Sequence, residues 1–220
     1  MAIEHDGLAG RAARLGPALA LLFAALWAFG DLTEDVTEGD PIVHFDHQVA
    51  DWLHDHRSHA LTSLLRVVTA LGSAWVLIPL AVVAVVFLLV RHLPRDAALV
   101  ALAVVGAEVL TIGLKAGIGR ERPFFANPLA RETSPSFPSG HATVSLAVYG
   151  ALAYVALRHL GNTVAGWVAL GGAVVLVVSI GFSRLYLGVH FLSDVLAGFS
   201  AGLAWLVLCA LATSFRRRRE

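Results

Sequence analysis

Six long apolar runs, at about residues 15–30, 71–90, 97–114, 141–157, 164–182 and 190–212, leave this 220-residue chain few ways to fold. A helix crossing the bilayer hydrocarbon needs about 20 apolar residues, with roughly 17–25 as the working range. Backbone polar groups in lipid must be paired internally, so runs of this length become helices. Hydrophobic residues make up 57% of the chain and charged residues 15%, whereas a soluble domain carries roughly 25% charged residues. The expected fold is all-α: a six-transmembrane-helix bundle forming one membrane domain over residues 1–220. The first run is short and contains Pro17, with Arg11 and Arg14 ahead of it. A cleaved signal peptide competes here, but no A-x-A site follows, so the run is read as a retained helix.

Residues 31–70, between the first two runs, are more than a loop. The segment opens acidic, with Asp31, Glu34, Asp35, Glu38 and Asp40. Phe45, Val49, Trp52 and Leu53 then share one helical face. This predicts an interfacial amphipathic helix with Trp52 at headgroup level, followed by a short helix over 60–70. Its imidazoles, His44, His47, His54, His56 and His59, are read as a polar helix face rather than a metal site. Cys209 is the only cysteine and lies in an apolar run, so there is no intrachain disulfide and no cysteine cluster for a metal. A net charge of zero gives no pull on nucleic acid, and no obligate protein partner is evident.

Orientation follows from the basic residues. With both termini inside, the cytoplasmic side holds Arg11, Arg14, Arg91, Arg95, Arg158 and Arg216 to Arg219, nine in all. The outer side holds seven: Arg57, Arg66, Lys115, Arg120, Arg122, Arg131 and Arg184. Three of those seven have a chemical reason to be there, so the comparison becomes nine against four. Both termini are therefore expected in the cytoplasm. The C-terminal arginine run reads as a stop signal and lipid-headgroup contact.

Three short stretches at the outer ends of the apolar runs carry chemistry. The first holds Lys115, Arg122 and Pro123; the second is Pro138-Ser139-Gly140-His141; the third holds Ser183, Arg184, His190 and Asp194. Lys115, Arg122 and Arg184 can offset the negative charge that protects a phosphate ester from attack. Arginine offers a planar fork to phosphate oxygens and lysine a point charge. Pro123 is expected to stop a helix right after Arg122. Ser139 is a natural N-cap and Gly140 admits a ligand close to the backbone, so the start of this helix is an expected anion site. His190 and Asp194, four residues apart, are expected on one face of the sixth helix. There Asp194 could fix the His190 tautomer and leave the other ring nitrogen free to attack.

The order K-x6-RP, PSGH, SR-x5-H-x3-D resembles the type 2 phosphatidic acid phosphatase (PAP2) family, over about residues 115–194. The resemblance implies an integral-membrane lipid phosphatase that needs no metal or other cofactor. It implies His190 as the nucleophile of a phosphohistidine intermediate, Asp194 as its orienting partner and His141 as the general acid. Lys115, Arg122, Ser139, Gly140 and Arg184 would bind the substrate phosphate. Candidate substrates are undecaprenyl pyrophosphate, phosphatidylglycerol phosphate, phosphatidic acid and diacylglycerol pyrophosphate, with a slight lean to the isoprenyl pyrophosphate. All three motifs would face the extracytoplasmic side of a membrane. The Ala- and Arg-rich composition points to a bacterial plasma membrane, where membrane lipids surround the site. The rivals are a phosphotransferase of the same superfamily, a non-catalytic or transporting membrane protein of this fold, and a vanadate-dependent haloperoxidase. The haloperoxidases are soluble, unlike this chain.

Three further expectations concern residues outside that pattern. Arg120 and Arg131 are read as interfacial anchors. Gly198 and Gly202 continue the His190–Asp194 face at four-residue steps and predict close packing of the sixth helix on the fourth or third. Glu108 lies seven residues before Lys115 and is read as a structural carboxylate within the bundle.

Overall fold

The computed structural model describes residues 5–39, 41–130 and 132–214. Asp40, Arg131 and the run Arg216 to Arg219 lie outside the described residues, as do the side chains of Arg11 and Arg14. The described residues form eight helices and no strand: α1 (His5–Glu38), α2 (Pro41–Asp55), α3 (His59–Ala70), α4 (Ala74–Val90), α5 (Pro94–Ile118), α6 (Gly140–Leu160), α7 (Val164–Tyr186) and α8 (Leu192–Ser214). Five helices are long and apolar enough to cross a membrane: α1 from Leu15 onward, α5, α6, α7 and α8. The pair α3–α4, bent by 42°, makes a sixth if counted as one broken span.

Two expected boundaries move. The acidic residues Asp31, Glu34, Asp35 and Glu38 continue α1 instead of opening the interfacial segment. Thr33 and Thr37 return their hydroxyls to the carbonyls of Phe29 and Thr33, so the polar end of the helix satisfies its own backbone. The second span begins at Ala74, not at residue 71, because Leu71–Ser73 form the bend between α3 and α4. Gly72 is needed at that bend. A Cβ there would come within 2.5 Å of Ile180 Cγ2 and 3.2 Å of His141 Cδ2.

The helix over Pro41–Asp55 forms as expected, but its apolar stripe divides. Phe45 and Trp52 are exposed, whereas Leu53 and Ala50 are buried together with Asp46. The short helix α3 also forms, with Ser58 Oγ capping the Leu61 N–H. Among the described residues no three His, Cys, Asp or Glu side chains gather closely enough to hold a metal ion. His54 stacks on Phe125, His56 on Trp52, and His47 meets the edge of Phe191.

Small residues bring the core helices together. Leu99, Val100, Ala103 and Ala107 of α5 pack against Val144, Ala147, Val148 and Ala151 of α6. At one end of this layer the buried Asp96 accepts from Arg158 Nη1 and His159 Nε2, both at 2.7 Å, tying the start of α5 to the end of α6. The opposite ends of α5, α6, α7 and α8 converge on the motif residues.

The expected glycine seam is present and runs between α8 and α6. A Cβ on Gly198 would lie 2.7 Å from Ser139 O and 2.9 Å from Ala142 Cβ, and one on Gly202 would lie 2.6 Å from Thr143 O. Backbone cannot yield as a side chain can, so Gly198→Leu should separate the two helices. The expected result is lower thermal stability in detergent by about 1–3 kcal/mol, with activity lost in step. Wild-type melting and turnover in this variant would show that the seam tolerates a side chain.

Candidate active site

The segment that carries the candidate nucleophile is set by the start of α8. That helix begins at Leu192, so His190 stands in the preceding turn and not on the helical face itself. Asp194 occupies the first turn and reaches back: its Oδ2 accepts from the Phe191 N–H at 2.8 Å. This is the acidic half of a capping box, and it fixes the carboxylate in place. The same oxygen lies 3.3 Å from His190 Nδ1. Asp194 and His190 are both buried.

The tautomer of His190 follows from its neighbours. Arg122 Nη1 lies 3.1 Å from His190 Nε2. A guanidinium can only donate, so Nε2 accepts and Nδ1 carries the proton toward Asp194. Burial is the main influence on this imidazole and holds it down to about 4, although Asp194 pulls the other way. His190 is therefore neutral at pH 7, with its lone pair directed toward the arginine. The shift also has a sign for stability. A histidine that resists protonation in the fold favours the unfolded chain as pH falls from about 6.5 toward about 4. The expected acid limb of kcat/KM is at about 4. A pH profile with its acid limb near 6.5 would contradict this environment.

The cations come from three different elements. Arg184, in the last turn of α7, is 3% exposed and donates through Nη1 to Thr69 Oγ1 at 2.9 Å. Its Nη2 donates to Glu132, while its Nε is buried without a partner. Arg122 binds the Ser134 carbonyl through Nε at 2.7 Å and the Val189 carbonyl through Nη1 at 2.6 Å, and so bridges two motifs. Lys115, near the end of α5, donates to the Pro135 carbonyl. Lys115 lies within electrostatic reach of Arg122, Asp194 and Arg184, and His141 within reach of Arg184, Arg122 and His190.

The start of α6 corrects the expectation for Ser139. Its position is the N-cap, but its hydroxyl caps nothing; Ser139 Oγ is buried and unpartnered. The helix start is anchored instead by the Ser139 N–H, which donates to the Asp194 carbonyl at 2.9 Å. The following N–H groups have no partner within their helix and remain an anion-binding edge. Gly140 sits against Thr111 and Lys115, where a Cβ would come within 3.2 Å of Thr111 Cγ2. The eight candidate residues, Lys115, Arg122, Ser139, Gly140, His141, Arg184, His190 and Asp194, thus meet at one end of the bundle.

Two further corrections concern the first motif. Pro123 does not end its helix; α5 stops at Ile118 because Gly119 takes a left-handed conformation, φ 68°. Arg120 and Arg122 therefore lie on an irregular segment that can aim both guanidinium groups inward. Arg120 is not an interfacial anchor. Its Nη1 donates to Asp194 Oδ1 at 2.6 Å and its Nη2 to Asp46 Oδ2 at 2.8 Å. Asp46, fully buried on α2, also accepts from the Ser193 N–H at 2.9 Å. Ser136 Oγ donates to Asp194 as well. So Asp46, Arg120, Ser136 and Ser193 form a buried ionic layer behind His190 that the sequence reading missed. Glu108 is half-buried and makes no ion pair with Lys115, Arg122 or Arg184 among the described residues.

Comparison with known proteins shows the family and the fold. The PAP2 superfamily model matches residues 96–218, more than half of the chain. Phosphatidylglycerophosphatase B of Bacillus subtilis (strain 168) is 38% identical over 147 residues, 65% of this chain and 70% of that protein. The crystal structure of a transmembrane PAP2 type phosphatidylglycerolphosphate phosphatase from Bacillus subtilis superposes with a TM-score of 0.78 at 31% identity, covering 92% of this chain and 98% of the other. Aquifex aeolicus LpxE shares the fold, with a TM-score of 0.60 at 24% identity over 76% of this chain and 93% of its own. The chain belongs to the PAP2 superfamily and is an integral-membrane phosphatase.

Proposed function

We propose that this phosphatase removes the terminal phosphate of a lipid at the extracytoplasmic face, through a phosphohistidine on His190. The observation that carries the reading is the setting of His190. Its Nδ1 is tied to Asp194, and its unprotonated Nε2 faces Arg122, a phosphate-binding candidate. Two buried donors, Arg184 Nε and Ser139 Oγ, support it, because each offers a hydrogen bond that no group among the described residues accepts. Buried polar groups are rarely left so. Phosphate oxygens are acceptors of the right kind.

The steps balance as follows. His190 Nε2 attacks phosphorus, and the bond from phosphorus to the lipid oxygen breaks. His141 gives a proton to that oxygen, and Asp194 stabilises the charge that develops on the His190 ring. Water then attacks the phosphohistidine, His141 takes its proton, and the P–N bond breaks to release inorganic phosphate. Lys115, Arg122, Arg184 and the start of α6 hold the phosphoryl oxygens and offset their charge throughout. Since these cations already supply that charge, EDTA should leave turnover intact; loss of activity that Mg²⁺ restores would overturn the metal-free assignment.

Among the lipid phosphates considered, the likeness to the Bacillus subtilis phosphatase, in sequence and in structure, moves the preference from the isoprenyl pyrophosphate to phosphatidylglycerol phosphate. The outward placement of the site rests on the excess of basic residues on the opposite side. Phosphate release from a panel of the four lipids, by purified protein in detergent, tests the reading. Fastest turnover of phosphatidylglycerol phosphate is expected. Transfer of the phosphoryl group to another acceptor without free phosphate would replace hydrolysis with phosphotransfer.

A further inference from the structure

The connection between Gly119 and Ser139 contains a carboxylate that none of the three motifs includes. Glu132 places one oxygen on Arg184 Nη2 and the other 3.9 Å from Arg122 Nη2. These are two of the three side-chain cations proposed to hold the substrate phosphate. We propose that Glu132 is a displaceable internal anion: it competes with phosphate for Arg184 and Arg122, so that product phosphate and surrounding phosphodiester lipids do not saturate the site. This inference rests on the phosphate-binding roles assigned above.

Glu132 is built to leave. Its side chain is 33% exposed, whereas that of Arg184 is 4% exposed. Among the described residues, Arg57 Nη1 donates to Asn127 O at 3.5 Å and Arg66 Nη2 to Leu129 O at 3.4 Å on one side of it, Arg122 and Lys115 donate to the Ser134 and Pro135 carbonyls on the other, and Glu132 itself stands outside any helix. The carboxylate can therefore move out without unwinding a helix. It is also ionised: burial alone would raise its pKa, but the charge and hydrogen bond of Arg184, helped by Arg122 and His141, bring it below the ordinary carboxylate value.

Glu132 does not exhaust the donors of the site. Among the described residues, Arg184 Nε and Ser139 Oγ are buried without a partner. A terminal phosphate brings three free oxygens and up to two charges, enough to replace the carboxylate and engage those donors as well. A phosphodiester brings two free oxygens and one charge, little more than Glu132 itself. An internal competitor weakens every anion by one common factor. Anions with a small advantage then fall below saturation, while the terminal phosphate, with a larger one, still binds. The same competition helps inorganic phosphate to depart after hydrolysis.

Glu132→Gln tests this, since it keeps the shape and removes the charge. The readouts are KM for a lipid monophosphate, Ki for orthophosphate and for phosphatidylmethanol (a single-charge phosphodiester lipid), and calorimetric binding of orthophosphate. All four constants should fall together by about tenfold, the size of one lost charge-assisted contact to the competitor. Unchanged or weaker phosphate binding in Glu132→Gln would overturn the proposal. Arg184→Ala separates the two levels. If Arg184→Ala loses phosphate binding while Glu132→Gln gains none, the displaceable anion is wrong and the phosphate site stands. If Arg184→Ala binds phosphate as well as wild type, both fall.

Discussion

His190→Ala should reduce phosphate release by about 10⁴-fold or more, because it removes the group proposed to form the covalent intermediate. Binding should survive, since Lys115, Arg122 and Arg184, proposed to take the phosphate oxygens, come from other elements. Orthophosphate affinity within a few fold of wild type, beside near-zero turnover, is therefore the expected signature. Asp194→Asn should fall between the two. It keeps the shape of the side chain but no longer offsets positive charge on the ring, and it leaves Arg120 with one carboxylate partner instead of two. A His190→Ala enzyme that retained a tenth of wild-type turnover would exclude His190 as the nucleophile.

The second large effect is expected at Arg120. Its guanidinium lies between the carboxylates of Asp46 and Asp194, both fully buried, and over the ring of Phe191 at 4.4 Å. Arg120→Ala would leave two buried negative charges near each other with no cation between them. Breaking a buried ion pair from one side costs about 3–5 kcal/mol. The variant should melt well below wild type in detergent, and α2 should release from the start of α8. Asp46→Asn is the milder test: it removes one of the two charges and keeps a side chain able to accept from Ser193. It should retain the fold but lower kcat, because the Asp194 carboxylate would then share Arg120 with no competitor and shift from His190. Wild-type stability in Arg120→Ala would mean that the ionic layer contributes nothing to holding the site.

Much of this was legible from the chain. Apolar runs of bilayer length reveal the spanning helices, because backbone in lipid has no other way to pair its hydrogen-bonding groups. Gly198 and Gly202 reveal a close helix contact, because their spacing matches one helical face. The eight motif residues were legible as a group because their order and spacing resemble the PAP2 pattern, and the fold brings them to one end of the bundle. What stayed hidden depended on contacts between distant segments. Asp46 lies on an otherwise amphipathic helix, and only its partners, Arg120 and Ser193, distinguish it from a solvent-facing acid. Arg120 resembled an anchor because basic residues at helix ends usually are. Glu132 carried no periodic or spacing signal at all. The end of α5 was misread for a local reason: Pro123 drew attention, whereas Gly119 had already turned the chain. That earlier turn decides the site, since it frees Arg120 and Arg122 from the helix and lets them point to opposite sides of His190.

The most direct measurement is a rapid quench of purified protein turning over phosphatidylglycerol phosphate labelled in its terminal phosphate, followed by peptide mapping. The expected result is one acid-labile, base-stable phosphoryl group on the peptide containing His190, absent from His190→Ala. Labelled inorganic phosphate formed at the wild-type rate, with no phosphoryl group on the protein at any time point and turnover undiminished in His190→Ala, would contradict it.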